Sequence, residues 1–188
     1  LYFTQLSYAL QTVFWTSATS VSLAQHFGVR QQLRWVKLLR RIVQPLFAMC
    51  LPVSVLVSLI FLILLAPTTP HALSFDSVSQ HAANTCCLLV EFGISRLLVL
   101  RDHLPLFVGF TVAYVVLVWC NYSVSHRWPY FFLSLDGAAA IVWYMTMMLS
   151  SLAVFAAFVG ASRIKNRCFP DTHTSSLTDM SQHGASLA

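Results

Sequence analysis

Thr4 and His81 are the two residues of this chain whose types and placement could do covalent chemistry. A threonine hydroxyl beside an imidazole is the minimal layout for nucleophilic catalysis: the histidine takes the hydroxyl proton, the alkoxide attacks an acyl carbon, and the imidazolium returns the proton to the departing oxygen. Asn84 and Thr85, three and four residues after His81, share its helical face. Glu91, ten residues beyond His81, lies about 15 Å deeper along a straight helix, too far to orient the imidazole directly. Each residue also has an ordinary role. A threonine in a first turn caps a helix or bonds the backbone, a histidine at a membrane interface snorkels, and Glu91 pairs with Arg96 or is buried and protonated.

The elements that must position these groups are apolar. A helix needs roughly 20 mostly apolar residues to cross the hydrocarbon core of a bilayer, and five stretches qualify: Leu1 to Val29, Pro45 to Ala66, His81 to Leu100, Leu104 to Asn121 and Gly137 to Ser162. The first is uncharged but rich in Thr, Ser and Gln, the composition of a helix facing other helices. The third carries Glu91 and Arg96, ionisable groups that within a bilayer face a bundle interior or a cavity. The expected fold is therefore an all-α polytopic bundle over residues 1–167, with five spans.

Ten of the 11 Lys and Arg residues fall in alternate gaps. Arg30, Arg34, Lys37, Arg40 and Arg41 separate spans one and two, Arg96 and Arg101 join three to four, and Arg163, Lys165 and Arg167 follow five. Cytoplasmic loops accumulate Lys and Arg, so these gaps are expected inside. Pro67 to Gln80 has no Lys or Arg and Tyr122 to Asp136 has only Arg127, which marks them as outside. The chain begins with Leu, so an earlier segment is expected; one more span would make six, with both termini cytoplasmic. Spans one and three then run in the same direction, and Thr4 and His81 meet at matching depth.

At 57% hydrophobic and 9% charged, with a mean hydropathy of +0.71, the chain lies far from the soluble average of about a quarter charged. The net charge of +5 comes from inside loops touching anionic headgroups, so no nucleic-acid partner is expected; residues 30–41 also suit a short amphipathic surface helix. There is no zinc spacing, phosphate loop or internal repeat. Cys50, Cys86, Cys87 and Cys120 lie within spans and form no disulfide framework, and Cys168 is a juxtamembrane candidate for palmitoylation. The sequon Asn121-Tyr122-Ser123 hugs the end of span four, where glycosylation is hindered, and Asn121 reads better as a helix terminus or site wall. Residues 168–188 are expected to be a disordered cytoplasmic tail.

From about Leu1 to Gly160 the chain resembles the androgen-induced membrane proteins, multi-pass threonine hydrolases of fatty-acid esters of hydroxy fatty acids. Tyr2-Phe3-Thr4-Gln5-Leu6 is similar to the family's opening Phe-Leu-Thr segment, with Gln11 at the family's glutamine seven residues after the threonine. Leu51-Pro52-Val53 is similar to a Phe-Pro-Val in span two, and Trp128, Tyr130, Phe132 and Leu133 to the family's Trp-x-Tyr-Pro-Phe-Leu, with the proline displaced to Pro129. The histidine admits two registers on the family's Asn-His-Gly-Met-His-Thr. Aligning Gln80-His81-Ala82-Ala83-Asn84-Thr85 on it puts Asn84 at the catalytic position and implies a silent hydrolase. Aligning His81 on the second histidine puts Glu91 on the family's acidic residue, keeps Leu88-Leu89-Val90 before it and places Cys86 where the family has proline; this register is preferred.

The resemblance implies Thr4 as nucleophile and His81 as base, with water completing turnover and no metal or organic cofactor. Gln11, Asn84, Asn121, His126 and Trp128 are candidates for polar lining or oxyanion support, and Glu91 for support from deeper in the span; Trp128 and Tyr130 equally suit an interfacial aromatic belt. The implied partners are a lipid ester substrate and membrane lipids, in the endoplasmic reticulum or plasma membrane. The alternative is a catalytically silent scaffold or lipid-binding regulator of the same fold. A carrier subunit built on Glu91 and Arg96 is a third class, disfavoured by the single intramembrane acid.

Overall fold

The computed structural model describes residues 3–28, 33–67, 75, 79–135, 137 and 139–168. The expected tail after Cys168 and most of the Pro67 to Gln80 gap lie outside the described residues. Among those residues the chain is helical, with no strand. Five α-helices form in chain order: α1 Phe3–His26, α2 Arg34–Ile60, α3 Asn84–Ile94, α4 Leu104–Ser125 and α5 Ala139–Cys168. Two π-helical turns, Phe61–Leu65 and Ser79–Ala83, extend the end of α2 and the start of α3.

Among the described residues three helical stretches are long and apolar enough to cross a membrane: Arg34–Leu65, Arg101–Ser125 and Ala139–Cys168. The expected first and third spans do not reach that standard. Ser, Thr and Gln lower the hydropathy of α1, and α3 has only 11 residues. The third segment also ends sooner than expected. Its helix stops at Ile94 because Ser95 is extended (φ −84°, ψ 171°) and its hydroxyl accepts the Leu97 N–H at 3.2 Å; Arg96 therefore lies beyond the helix. The second helix begins sooner than expected, since Arg34 to Gln44 continue it without a break through Pro45. Residues 34–41 are neither loop nor separate surface helix.

Helix α2 is the axis of the bundle and packs against all four others. More than half of its apolar window is buried, against 17% for α4 and 11% for α5, whose outward Val and Leu faces suit lipid. Phe47, fully buried on α2, joins Phe14 of α1 (ring centroids 5.5 Å) to Phe92 of α3 (6.3 Å). The inward stripe of α1 is Phe3, Ser7, Gln11, Phe14 and Ser17 at helical spacing. Small polar residues let helices approach closely where lipid supplies no hydrophobic drive.

At the end where Lys and Arg cluster, segment 95–100 is tied down by side chains. Gln44 Nε2 donates to the Leu98 carbonyl, the Val99 N–H donates to Ser162 Oγ (2.8 Å), and Lys165 Nζ donates to the carbonyls of Phe92 and Leu97 while lying over the Phe92 ring at 4.5 Å. Lysine at a helix C-terminus satisfies orphan carbonyls and complements the helix dipole. Ser162→Ala should cost about 1–2 kcal/mol through the stranded Val99 N–H. Thermal unfolding in nanodiscs would read that loss.

Candidate active site

The cavity lies at the opposite end. It has a volume of about 420 Å³ and is walled by the start of α1, the end of α2 with its π turn, the start of the third segment, the later half of α4, the first half of α5 and the 130–133 turn. This is the size of a site for a drug-sized ligand, and its walls are mostly aliphatic and aromatic. Thr4 and His81 both line it.

Beside it, between α1, α2 and α3, is a polar space of about 10 Å³. Ser7, Gln11, Ser54, Ser58, Asn84 and Thr85 wall it, and Thr4, Val57 and His81 belong to both cavities. Thr4 and His81 thus stand on the border between an apolar chamber and a polar one. They make no direct hydrogen bond with each other among the described residues; such bonds often form only in the substrate complex.

His81 is held by its backbone and by one ring face. It sits in the second π turn, its imidazole stacked on Phe61 of the first (centroids 4.1 Å, 14°). The two widened turns meet at this stack, and π turns recur at functional sites. Ser58 Oγ donates to the His81 carbonyl at 2.8 Å. Because that uses the Ser58 proton, Ser58 accepts from Thr85 Oγ1 at 2.7 Å, and Ser54 Oγ, 2.6 Å from Thr85 Oγ1, donates to it in turn. This hydroxyl relay sets α3 against α2 and fixes the height of His81. Thr85→Val, which keeps shape but deletes the middle hydroxyl, should lower stability by about 1–2 kcal/mol. The melting temperature in nanodiscs would read that loss.

No family model, curated protein or solved structure matches this chain.

The other candidates from the sequence separate into two groups. Gln11 is buried, with 3% of its surface exposed, and Asn84 opens α3; both line the polar chamber. Asn121, His126 and Trp128 line neither cavity and are occupied at the end of α4. Asn121 bonds Ser125 through side chain and carbonyl, His126 caps α4 in the left-handed conformation (φ 52°) with its N–H on the Tyr122 carbonyl, and Trp128 stacks on Tyr122 at 4.0 Å. Glu91 lies near the far end of α3, within electrostatic reach of Lys165 and away from both cavities. No group of three His, Cys, Asp or Glu that could hold a metal occurs among the described residues.

Residues not singled out in the sequence complete the site. Trp119 Nε1 donates to Tyr144 Oη (2.9 Å), which donates to the Leu133 carbonyl (3.0 Å), bridging α4, α5 and the 130–133 turn at the cavity. The stretch of wall between them is open to the surroundings: Val112, Val116 and Met145 line the cavity yet are 46%, 48% and 55% exposed. The Ser54 and Ser58 pair was visible as an i, i+4 polar stripe on the otherwise apolar stretch 45–60 of α2. The Phe61 stack had no such signal, because π turns shift the facing of every residue after them.

Proposed function

We propose that the chain is an integral-membrane hydrolase of lipid esters, of the kind its resemblance to the androgen-induced proteins implies: fatty-acid esters of hydroxy fatty acids, cleaved by Thr4 with His81 as base. The observation that carries this reading is that Thr4 and His81, 77 positions apart in sequence, line the same apolar cavity at its border with a polar space. In this mechanism acyl chains occupy the apolar chamber while the ester carbonyl lies at the border. His81 takes the Thr4 proton, Thr4 Oγ1 bonds to the acyl carbon, and the imidazolium protonates the leaving alkoxide; water then attacks the acyl-threonine by the same route in reverse. Asn84, which lines the polar space, donates to the oxyanion in this mechanism. His81 borders both cavities and Asn84 only the polar one, which favours His81 as base over the register that puts Asn84 there.

The proposed topology has five spans with the cavity at the outer face and the C-terminus in the cytoplasm, in the endoplasmic reticulum or plasma membrane. A catalytically silent lipid-binding regulator is the second reading, favoured by the absence of a direct Thr4–His81 bond.

Labelling by a fluorophosphonate probe in membranes separates the two. Wild type should label, Thr4→Ala and His81→Ala should not, and Asn84→Ala should retain labelling at a reduced rate. A well-expressed wild type that never labels would leave the regulator.

A further inference from the structure

Besides Tyr114 Oη, whose residue lines the apolar cavity, two buried polar atoms at the site lack a partner among the described residues: Gln11 Oε1 and His81 Nδ1. Buried polar groups are almost always satisfied, by protein or by an ordered water, and a stranded one costs about 1–3 kcal/mol. Both residues line the 10 Å³ polar space between α1, α2 and α3. That volume is about one water, and a water is stable in such a space when it has 2–4 polar partners. Tyr8, Val57, Asn84 and five Ser and Thr residues supply the rest of the walls.

The other amide atom of Gln11 is accounted for. Its Nε2 donates to Ser7 Oγ at 3.1 Å, one turn earlier on α1. The helix and this bond hold the amide in place, with Oε1 an acceptor that has no hydrogen-bond partner among the described residues.

We propose that one water bridges His81 Nδ1 to Gln11 Oε1 and that Gln11 is thereby the positioning residue for the base. This rests on the hydrolase reading for its kinetic meaning. A water can donate to both atoms, or accept from Nδ1–H while donating to Oε1; the second sense is the one proposed, and it goes with the tautomer that carries the proton on Nδ1. The lone pair is then left on Nε2, the nitrogen that must accept the Thr4 proton. In hydrolase triads a carboxylate orients the base in this way and stabilises the imidazolium. Among the described residues no Asp or Glu lines either cavity, so here a neutral amide acts through a water. The water stays in place during turnover, and the proton it receives on Nδ1–H is never transferred.

The test joins spectroscopy to kinetics. In nanodiscs with ¹⁵N-histidine, the signal absent from His81→Asn protein belongs to His81; wild type should show the Nδ1–H tautomer. Gln11→Leu, which removes the acceptor, should convert it to the other tautomer or to a mixture. On a fluorogenic lipid ester, Gln11→Leu should lower kcat about 10- to 100-fold with KM little changed, the scale of removing a group that orients a functional side chain. Gln11→Glu should restore most of kcat and move the acid limb of the kcat profile to higher pH, because a carboxylate now faces the imidazolium. A solely structural Gln11 would move neither the tautomer nor the limb. An unchanged tautomer in folded Gln11→Leu overturns the bridge. If wild type shows the Nδ1–H tautomer, lost in Gln11→Leu, yet turns over no ester, the bridge stands and the hydrolase reading falls.

Discussion

In the proposed hydrolase, Thr4→Ala and His81→Ala should each reduce ester hydrolysis by at least about 10³-fold, and the double variant should be no slower than the slower single one. Removing either member of a nucleophile–base pair abolishes the same step, so the losses do not add; in hydrolases that act this way single and combined removals converge on a residual rate set by binding and oxyanion contacts. The convergence is the informative part. Two residues that served only to shape the cavity would each cost a modest factor, and those factors would multiply. Steady-state rates on a fluorogenic lipid ester, with the four proteins compared at equal folded fraction, read the difference. Stability should barely move in Thr4→Ala, whose side chain is half-buried. His81→Ala also loses the Phe61 stack and should melt a few degrees lower.

The largest effect on the fold should come from Phe47→Ala. The ring is fully buried and touches α1 through Phe14 and α3 through Phe92, so its removal opens one cavity against two helices. In soluble proteins such a truncation costs about 3–5 kcal/mol. Lipid is as apolar as the core, so the transfer part of that cost shrinks and the lost packing remains. The expected loss is about 2–3 kcal/mol by thermal unfolding in nanodiscs, enough to reduce expression in cells. Phe47→Leu, which refills most of the space, should recover half or more.

How much was legible in the sequence depends on which physical signal each element carries. The apolar runs around Val53, Val115 and Val154 announce membrane-length helices whatever they pack against. Helix α1 is legible as a helix, but which of its polar residues face inward is not: Ser7, Gln11 and Ser17 are buried, while Gln5, Thr12, Thr16 and Thr19 are exposed. The start of α2 was hidden because Arg34, Lys37, Arg40 and Arg41 read as a basic loop, while Val36, Leu38 and Leu39 among them continue a helical pattern. The stop at Ile94 was hidden for another reason: apolar Leu97, Leu98, Val99 and Leu100 look like helix, but their backbone groups are claimed by Gln44, Lys165 and Ser162 from elsewhere in the chain. That Thr4 and His81 come to one cavity was legible, because depth follows from counting along helices that run the same way. The work of Asn121, His126 and Trp128 was not, because a left-handed cap and a stacked ring leave no mark on composition.

The exposed wall between α4 and α5 bears on how rates are to be measured. Val112, Val116 and Met145 are at once cavity lining and outer surface, so for an enzyme of the kind proposed the route in runs sideways, out of the bilayer. A substrate arriving that way is counted per lipid, and bulk molarity ceases to be the relevant concentration. Diluting the ester with inert phospholipid at constant total ester should slow turnover, while diluting the whole suspension with buffer should leave the rate per protein unchanged. Saturation constants would then carry units of mole fraction, and the composition of the host membrane would itself become a kinetic variable.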